Sequence, residues 1–236
     1  MAAAPDKSPD RIAGMFDAIA PRYDLLNHLL SAGIDRRWRA AAIRSLQLSG
    51  RETLLDVCCG TADVSLAARR HVARVIGVDF ASAMLARGLQ KVKAAGEGAR
   101  ITLARADAMR LPVADRSVDA VTVAFGIRNV QRPDIACGEM ARVLRSGGRV
   151  AILEFGVPRI PGIKRLYLWY FMHVLPRVGR FISGHSAAYS YLPVSVGSFA
   201  PPAEFMQMLR DAGFSDVHAD PLTFGIVYLY TARVRG

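Results

Sequence analysis

The stretch that most constrains the fold runs from Thr53 to Asp63. A short apolar run there ends in Asp56 and turns through small residues into an amphipathic stretch, Val64 to His71, which predicts a strand, a tight turn and the start of a helix. Small residues allow a backbone to approach a ligand, and a helix N-terminus offers unpaired N–H groups. Because nucleotide-like cofactors are held in this way at strand ends, we expect Asp56 and Gly60 to contribute to cofactor binding.

Two further acids stand at the ends of predicted strands. The strand Arg74–Asp79 ends in a carboxylate 19 residues after Gly60, a separation that suits an acid accepting both ribose hydroxyls, and Phe80 follows it. The strand Ile101–Arg105 leads to Asp107, which can accept a hydrogen bond from an adenine amino group. Each acid by itself could merely cap the helix that follows. Three acids at successive strand ends are better explained by a cofactor site.

The turn between the first strand and its helix distinguishes two kinds of cofactor. The nicotinamide fingerprint G-x-G-x-x-G is absent, whereas Asp56-x-Cys58-x-Gly60-x-Ala62 resembles the acid-x-Gly-x-Gly-x-Gly loop of class I S-adenosylmethionine methyltransferases. Only the middle glycine is kept. Because Cys58 and Ala62 carry a Cβ, we expect φ below zero at both residues and a slightly different loop.

Charge and cysteine content restrict the partners. The 236 residues carry 31 Lys and Arg against 20 Asp and Glu, a formal net charge of +11, which suits nucleic acid, an anionic membrane surface or a charged substrate. The basic residues are scattered and no RNA-binding or zinc-finger motif occurs, so we expect no nucleic-acid partner. Cys58 and Cys59 are adjacent rather than at metal-ligand spacing, which predicts buried thiols and no metal site.

Hydrophobicity and the N-terminal stretch indicate a compartment. Hydrophobic residues make up 52% of the chain, yet no apolar run reaches the roughly 18 to 20 uninterrupted residues of a membrane span. The stretch Met1 to Lys7 lacks the charged start and apolar core of a signal peptide, so export is not expected. We predict a cytoplasmic protein, soluble or peripheral to the inner membrane face, in which residues 1–9 are disordered.

Strand and helix patterns alternate along the chain. This predicts a single α/β domain built on a doubly wound, mostly parallel seven-stranded sheet. We expect an N-terminal helical cap over residues 1–48, a cofactor-binding core over 49–157, an insertion over 158–202, and a closing helix and hairpin over 203–236. Within the cap, Asp10 to Leu30 should form two helical pieces that are interrupted at Pro21 and lie over the cofactor site, and Arg39 to Leu48 should form an Ala-rich helix.

The insertion mixes apolar residues with flanking cations. Among its aromatic and basic residues are Lys164, Arg165, Tyr167, Trp169, Tyr170, Phe171, Arg177 and Arg180. Such a mixture is typical of an interfacial membrane helix or of an apolar substrate tunnel. An ordinary packed helix or a homodimer surface would show the same amphipathic pattern.

A second candidate site follows the fourth predicted strand, Val118–Phe125. Arg128 and Asn129 come directly after it, at the carboxyl edge where open α/β sheets bind ligands. The alternative for Arg128 is a surface ion pair. In the cap, Tyr23 and Trp38 could both be core aromatics, and we favour that interpretation for Trp38.

Four stretches in this order carry a more selective signal. They are Tyr23-Asp24-x-x-Asn27 with Ser31 and Trp38, Phe125-Gly-Ile-Arg-Asn129, Arg142-Val-Leu-Arg-Ser-Gly-Gly148 with Glu154, and Tyr189-x-Tyr-Leu-x-x-Ser195. Together they resemble the ubiquinone/menaquinone biosynthesis C-methyltransferase family over about Met15 to Tyr230. The family usually has His where this chain has Asp35 and Ser where it has Gly156, which bears on the acceptor pocket.

The resemblance implies an activity and a set of site residues. The enzyme would use S-adenosylmethionine, release S-adenosylhomocysteine, and methylate a ring carbon of a reduced prenylated quinone precursor, either a demethylmenaquinol or a 2-polyprenyl-6-methoxy-1,4-benzoquinol. The implied cofactor contacts are Thr61, Asp79, Asp107, Ala108 and Ala124. Tyr23, Asp63 and Arg128 would act on the quinol, with Asn129, Tyr189 and Tyr191 near it.

The implied chemistry divides the work between two charged residues. A cation beside a developing phenolate favours its ionisation, so we assign electrostatic stabilisation to Arg128 and proton acceptance, directly or through water, to Asp63. Two alternatives stay open. One is a methyltransferase for another phenolic or amine acceptor, and the other is a cofactor-binding protein without catalytic activity.

Overall fold

The computed structural model describes residues 6–174, 177 and 186–235, and for residues 186–190 it describes the backbone alone. The sequence predicts disorder over residues 1–9. Residues 1–5 lie outside the described part of the chain, and a helix begins at Pro9. Arg180, one of the cations noted in the insertion, also lies outside it.

Within the described ranges, seven strands form one sheet in the order β3-β2-β1-β4-β5-β7-β6. All neighbouring strands are parallel except β7, which is antiparallel to both β5 and β6. This confirms the predicted fold class. The strands are β1 Thr53–Val57, β2 Arg74–Asp79, β3 Ile101–Arg105, β4 Val118–Ala124, β5 Leu144–Phe155, β6 Phe214–Leu222 and β7 Val227–Val234.

Helices cover both faces of the sheet. They are α1 Pro9–Ile19, α2 Tyr23–Leu30, α3 Asp35–Ser45, α4 Asp63–Ala68, α5 Ser82–Ala94, α6 Pro133–Val143, α7 Pro161–Trp169, α8 Ser186–Gly197 and α9 Pro202–Asp211. On one face, Met140 of α6 and Phe205 of α9 pack into a core with the apolar strand residues, and on the other face Ala42 of α3 and Val92 of α5 do the same. Strands buried on both faces explain the nearly continuous apolar runs in the sequence.

Strand order places the loops of the predicted cofactor site together. β1 pairs with β2 on one side and with β4 on the other, so that Val57 lies opposite both Val78 and Val123. The chain continues from β1 to β2 and β3 on one side and then crosses to β4 and β5 on the other side. Such a reversal of strand order leaves a crevice at the carboxyl ends of the strands. The loops that follow β1, β2 and β4 all open into that crevice.

The cap and the insertion close over this edge of the sheet. As predicted, the first part of the cap has two helical pieces, α1 and α2, separated by a turn over Ala20–Arg22 that contains Pro21, and α3 completes the cap. Asp17 of α1 accepts a hydrogen bond from the backbone N–H of Ala83 at 2.8 Å, which ties the cap to α5. Leu26 of α2 packs in one apolar cluster with residues of the insertion.

The described insertion is helical on both sides of its gap. A π-helical turn, Tyr170–Val174, continues α7, and α8 contains Pro193. Across the described ranges, no helix combines the length and apolar character needed to cross a membrane.

Candidate active site

The crevice contains a groove lined by the loops after β1, β2, β3 and β4, which we call the donor groove. It consists of one space of about 390 Å³ and a smaller one of about 40 Å³. Its lining includes Cys58, Gly60, Asp79, Phe80, Asp107, Ala108, Ala124 and Asn129. The structure therefore brings most of the predicted cofactor residues together.

Asp79 organises the groove. Its Oδ2 accepts a hydrogen bond from the backbone N–H of Gly60 at 2.8 Å, and its Oδ1 accepts one from that of Ala81 at 2.9 Å. Burial raises the pKa of this carboxyl, whereas these backbone hydrogen bonds oppose the rise. Asp107 accepts a hydrogen bond from the backbone N–H of Met109 at 2.8 Å, which fixes the carboxylate at the other end of the groove.

The loop after β1 departs from the predicted geometry. The expectation of negative φ at Cys58 and Ala62 is wrong, because φ is +55° at Cys58 and +64° at Ala62. The left-handed conformation costs a side chain on the order of 1–2 kcal/mol, and the surrounding chain here imposes it nonetheless. Cys58 lines the groove, and a Cβ built on Gly126 would lie 2.3 Å from the Cβ of Cys58. Glycine at position 126 thus makes room for the cysteine.

Asp56 and Thr61, both predicted to contact the cofactor, are not among the residues lining the donor groove. Asp56 is buried below the loop, where its Oδ2 accepts a hydrogen bond from the hydroxyl of Ser65 at 2.6 Å. Burial raises the pKa of this carboxyl to about 7. The Thr61 hydroxyl donates to Asp24 of α2. Asp56 and Thr61 therefore hold the loop in place rather than face the groove.

A second cavity, of about 210 Å³, lies between the cap, the insertion and the ends of β4 and β5. We call it the acceptor cavity. Its wall is mainly aromatic and aliphatic, and includes Trp38, Phe125, Phe155, Tyr167, Tyr170, Phe171 and Tyr191. Phe16, Tyr23 and Phe125 line both the acceptor cavity and the donor groove, so the two spaces adjoin at these residues.

The helix α1 forms a wall of both spaces. Asp10 and Ala13 line the donor groove, and Met15 and Ile19 line the acceptor cavity. Phe16 of the same helix lines both the donor groove and the acceptor cavity.

The sequence of the chain matches a known protein family along most of its length. The sequence model of the ubiE/COQ5 methyltransferase family matches residues 5–233. The chain belongs to the ubiE/COQ5 methyltransferase family. The family predicted from the sequence is therefore confirmed, and so is the prediction of a methyltransferase.

Two relatives of known family align with almost the whole chain. It is 50% identical over 219 residues to "Ubiquinone/menaquinone biosynthesis C-methyltransferase UbiE" of Syntrophotalea carbinolica, covering 92% of this chain and 91% of that one. It is 42% identical over 229 residues to "Demethylmenaquinone methyltransferase" of Bacteroides fragilis, covering 96% and 93%. Among solved structures, "the [4+2]-Cyclase SpnF" matches with a TM-score of 0.72 and 18% identity over 100% of this chain and 98% of that one. At that identity the likeness concerns the fold, which hosts more than one chemistry.

In this ubiE/COQ5 family member, Arg128 stands at the acceptor cavity with a buried counter-charge. Its Nη1 donates to Glu154 Oε1 at 2.8 Å, and its backbone N–H donates to Glu154 Oε2 at 3.1 Å. Glu154 is fully buried, and the guanidinium lies 5.4 Å from the ring centroid of Phe155. The interpretation of Arg128 as a surface ion pair is wrong, since the pair is buried. Glu154, whose role the sequence did not indicate, fixes the arginine and balances its charge.

Several polar atoms of the two spaces lack partners. Among the described residues, Arg128 Nε, Tyr167 OH, Tyr191 OH and Asn129 Oδ1 are buried without a hydrogen bond. Buried donors and acceptors normally find partners, and each unpaired group costs about 1–3 kcal/mol. A ligand with oxygen atoms in the acceptor cavity would satisfy three of them.

The structure places Asp63 between two cations. It forms ion pairs with Lys91 of α5 and, at 3.2 Å, with Arg39 of α3, and it is not among the residues lining the acceptor cavity. Two cations on one carboxylate explain its position. Neither partner could be foreseen, because they lie 28 and 24 residues away in the chain.

Besides the predicted Tyr23, the cap contributes four polar residues that the prediction did not assign to the site. Tyr23, Asn27, Ser31, Asp35 and Arg39 recur every four residues and all line the acceptor cavity. Their four-residue spacing was the sequence signal that could have located this side of the site, although a turn separates α2 from α3. Trp38 is buried, as favoured, and it also lines the cavity, with its Nε1 donating to the Thr223 hydroxyl at 2.9 Å. Tyr191 lines the cavity, whereas the side chain of Tyr189 lies outside the described residues.

Proposed function

We propose that this single-domain protein uses S-adenosylmethionine to methylate a ring carbon of a reduced, prenylated quinone precursor, with S-adenosylhomocysteine as the second product. The observation that carries the proposal is an aromatic cavity with unpartnered buried donors that adjoins the donor groove at Tyr23. The names of the relatives, which refer to ubiquinone, menaquinone and demethylmenaquinone, support a demethylmenaquinol or a polyprenyl methoxybenzoquinol as acceptor.

The residues of the donor groove fit the proposed cofactor. Asp79 presents a buried carboxylate to ribose hydroxyls, and Asp107 stands at the end of the groove suited to an adenine amino group. The unpartnered Oδ1 of Asn129 offers an acceptor for a cationic amine. When bound there, S-adenosylmethionine would supply a methyl group already activated by the sulfonium charge.

The chain's own task is to orient the acceptor and to favour its phenolate. Holding a ring carbon next to the methyl group removes the entropy cost of their encounter. The Nε–H of Arg128, held by Glu154, can donate to a phenolate oxygen as charge develops on it. Burial raises the pKa of Tyr23, so its hydroxyl stays protonated and can donate a hydrogen bond at the junction of the two spaces.

We also propose contact with the membrane that holds a prenylated acceptor, from the cytoplasmic side. Leu25 and Leu29 of α2 and Leu166, Trp169 and Met172 of the α7 segment are each more than half exposed. The Tyr170 hydroxyl donates to the carbonyl of Leu30 at 2.9 Å, which holds the two elements together. We call these five residues the outer apolar face. The exposed Lys164 and Arg165 beside it suit an anionic lipid surface. A homodimer surface is the competing interpretation.

One experiment tests the proposed reaction. The protein is incubated with labelled S-adenosylmethionine and with demethylated benzoquinone and naphthoquinone precursors, with and without a reductant, and the label is located by mass spectrometry. We expect label on a ring carbon under reducing conditions, because only the reduced ring has the hydroxyl whose ionisation makes the neighbouring carbon nucleophilic. Label on oxygen or nitrogen, or equal turnover of the oxidised quinone, would instead favour another phenolic or amine acceptor. No transfer at all would favour a non-catalytic role.

A further inference from the structure

One side of the acceptor cavity is polar although the rest is aromatic. The stripe Tyr23, Asn27, Ser31, Asp35 and Arg39 forms this side. Among these residues Asp35 is the carboxylate, and only 3% of its surface is exposed. A carboxylate kept in an aromatic cavity costs desolvation energy, so its partners and its position require an explanation.

The contacts of Asp35 lead from the cavity towards solvent. The Ser31 hydroxyl, which lines the cavity, donates to Asp35 Oδ1 at 2.9 Å. Asp35 Oδ2 lies 2.8 Å from Nδ1 of His28, and 30% of the His28 side chain is exposed. The Ser31 hydroxyl is thus hydrogen-bonded to the carboxylate, and the imidazole of His28 lies within contact distance of that carboxylate on the side towards bulk water.

Asp63 offers no comparable path. It is ion-paired with both Lys91 and Arg39, and it is not among the residues that line the acceptor cavity. Arg39 bridges the two acids, since it also pairs with Asp35. Asp63 can therefore hold Arg39 in place without contacting an acceptor.

On the basis of the function proposed above, we propose that Asp35 accepts the proton of an acceptor hydroxyl, directly or through Ser31, and that His28 carries this proton to solvent. The acceptor's O–H bond breaks and its electron pair shifts into the ring as the new carbon–carbon bond forms. Sulfur keeps the pair of the broken S–CH3 bond. The ring carbon then loses its hydrogen as a proton while the oxygen regains one, so one proton leaves in total.

Other charged and phenolic groups surround this path. Burial raises the pKa of Asp35, but His28, Arg39 and Ser31 together outweigh it and hold the pKa below its usual range. Alone, such a carboxylate is a weak base, and transfer of the proton onward to an imidazole, a stronger base than a carboxylate, overcomes that weakness. The charged and phenolic groups packed around the path also include Asp24, Asp63, Arg87, Lys91, Arg128, Glu154, Tyr23, Tyr167, Tyr170 and Tyr191.

The test compares pH profiles. Wild type, Asp35→Asn, His28→Gln and Asp63→Asn are assayed anaerobically at saturating S-adenosylmethionine and reduced acceptor over about pH 6–10, spanning the ordinary pKa values of His and phenol. His71→Gln, at an exposed histidine outside the site, is the matched control and should behave as wild type. Cofactor affinity is measured separately by calorimetry.

For Asp35→Asn we expect turnover at pH 7 to fall by about 10²–10⁴-fold, the range for loss of a general base. Its rate should then rise about tenfold per pH unit towards the phenol's own pKa near 10, with cofactor affinity unchanged. His28→Gln should lower turnover by a smaller factor than Asp35→Asn, with cofactor affinity unchanged. Asp63→Asn should keep the wild-type shape and fall by less than tenfold.

A wild-type-shaped profile in Asp35→Asn, or the steep profile in Asp63→Asn, would overturn the assignment. If Asp35→Asn does not fold, His28→Gln decides, and turnover equal to that of wild type there refutes the path. Wild type that fails to methylate any quinol would contradict the proposed function itself. Active wild type with unaffected variants would contradict only the proton path.

Discussion

The buried carboxyl of Asp56 makes stability depend on pH in a calculable way. Its pKa is raised from 3.8 to about 7, mainly because burial penalises the charged form. Each tenfold change in proton affinity is worth about 1.4 kcal/mol, so ionising Asp56 costs the native protein about 4 kcal/mol relative to the unfolded chain. A raised pKa means that the native state binds the proton more tightly. This contribution is therefore fully present below pH 3.8 and is lost as the pH rises through about 7.

The perturbation is Asp56→Asn, which keeps an oxygen for the Ser65 hydroxyl and cannot ionise. Urea unfolding of both proteins at pH 5, 6, 7 and 8 gives the free energy of unfolding at each pH. Between pH 5 and pH 8 the wild type should lose about 2–3 kcal/mol relative to the variant, since most of the 4 kcal/mol falls in that interval. In the variant, the buried amide lacks a second hydrogen-bond partner. This lowers the variant's free energy of unfolding by about 1–3 kcal/mol at every pH. A difference between the proteins that is the same at pH 5 and pH 8 would refute the argument.

The remaining predictions concern the two spaces and the surface. S-adenosylmethionine, but not NAD, should raise the melting temperature, and Asp79→Ala should remove most of that rise, since a lost hydrogen-bonding carboxylate costs about 1–3 kcal/mol of binding. Arg128→Gln combined with Glu154→Gln removes both charges of the buried pair and should lower turnover by about 10²–10³-fold, with little change in cofactor affinity measured by calorimetry. Flotation with anionic vesicles should weaken with salt and with Leu166→Glu, whereas Leu89→Glu, at an exposed leucine of α5, should leave it unchanged. A doubled mass in solution that Leu166→Glu halves would instead identify a dimer surface.

The sequence predicted the sheet and the donor groove because both depend on short, local signals. Asp79 and Asp107 each follow a short apolar run and line the groove, so they could be located without knowing their neighbours in space. Element bounds shifted by a few residues, as with α3, which begins at Asp35 instead of Arg39.

The acceptor side was harder to predict because it is assembled from distant segments. The contact between Arg128 and Glu154 joins residues 26 apart, and the one between Tyr170 and Leu30 joins residues 140 apart. The ion pairs of Asp63 with Lys91 and Arg39 likewise join separate helices. The φ at Cys58 was also missed, since local steric preference does not record the constraint that the neighbouring strands place on the loop.

We expect the position of α1 to couple the binding of the two ligands. Because one helix forms a wall of both the donor groove and the acceptor cavity, with Phe16 bordering both, any ligand that stabilises the seated position of α1 prepares the other site as well. Linkage requires this effect to be reciprocal. The factor by which the cofactor tightens acceptor binding therefore equals the factor by which the acceptor tightens cofactor binding, and release of either product loosens the hold on the other.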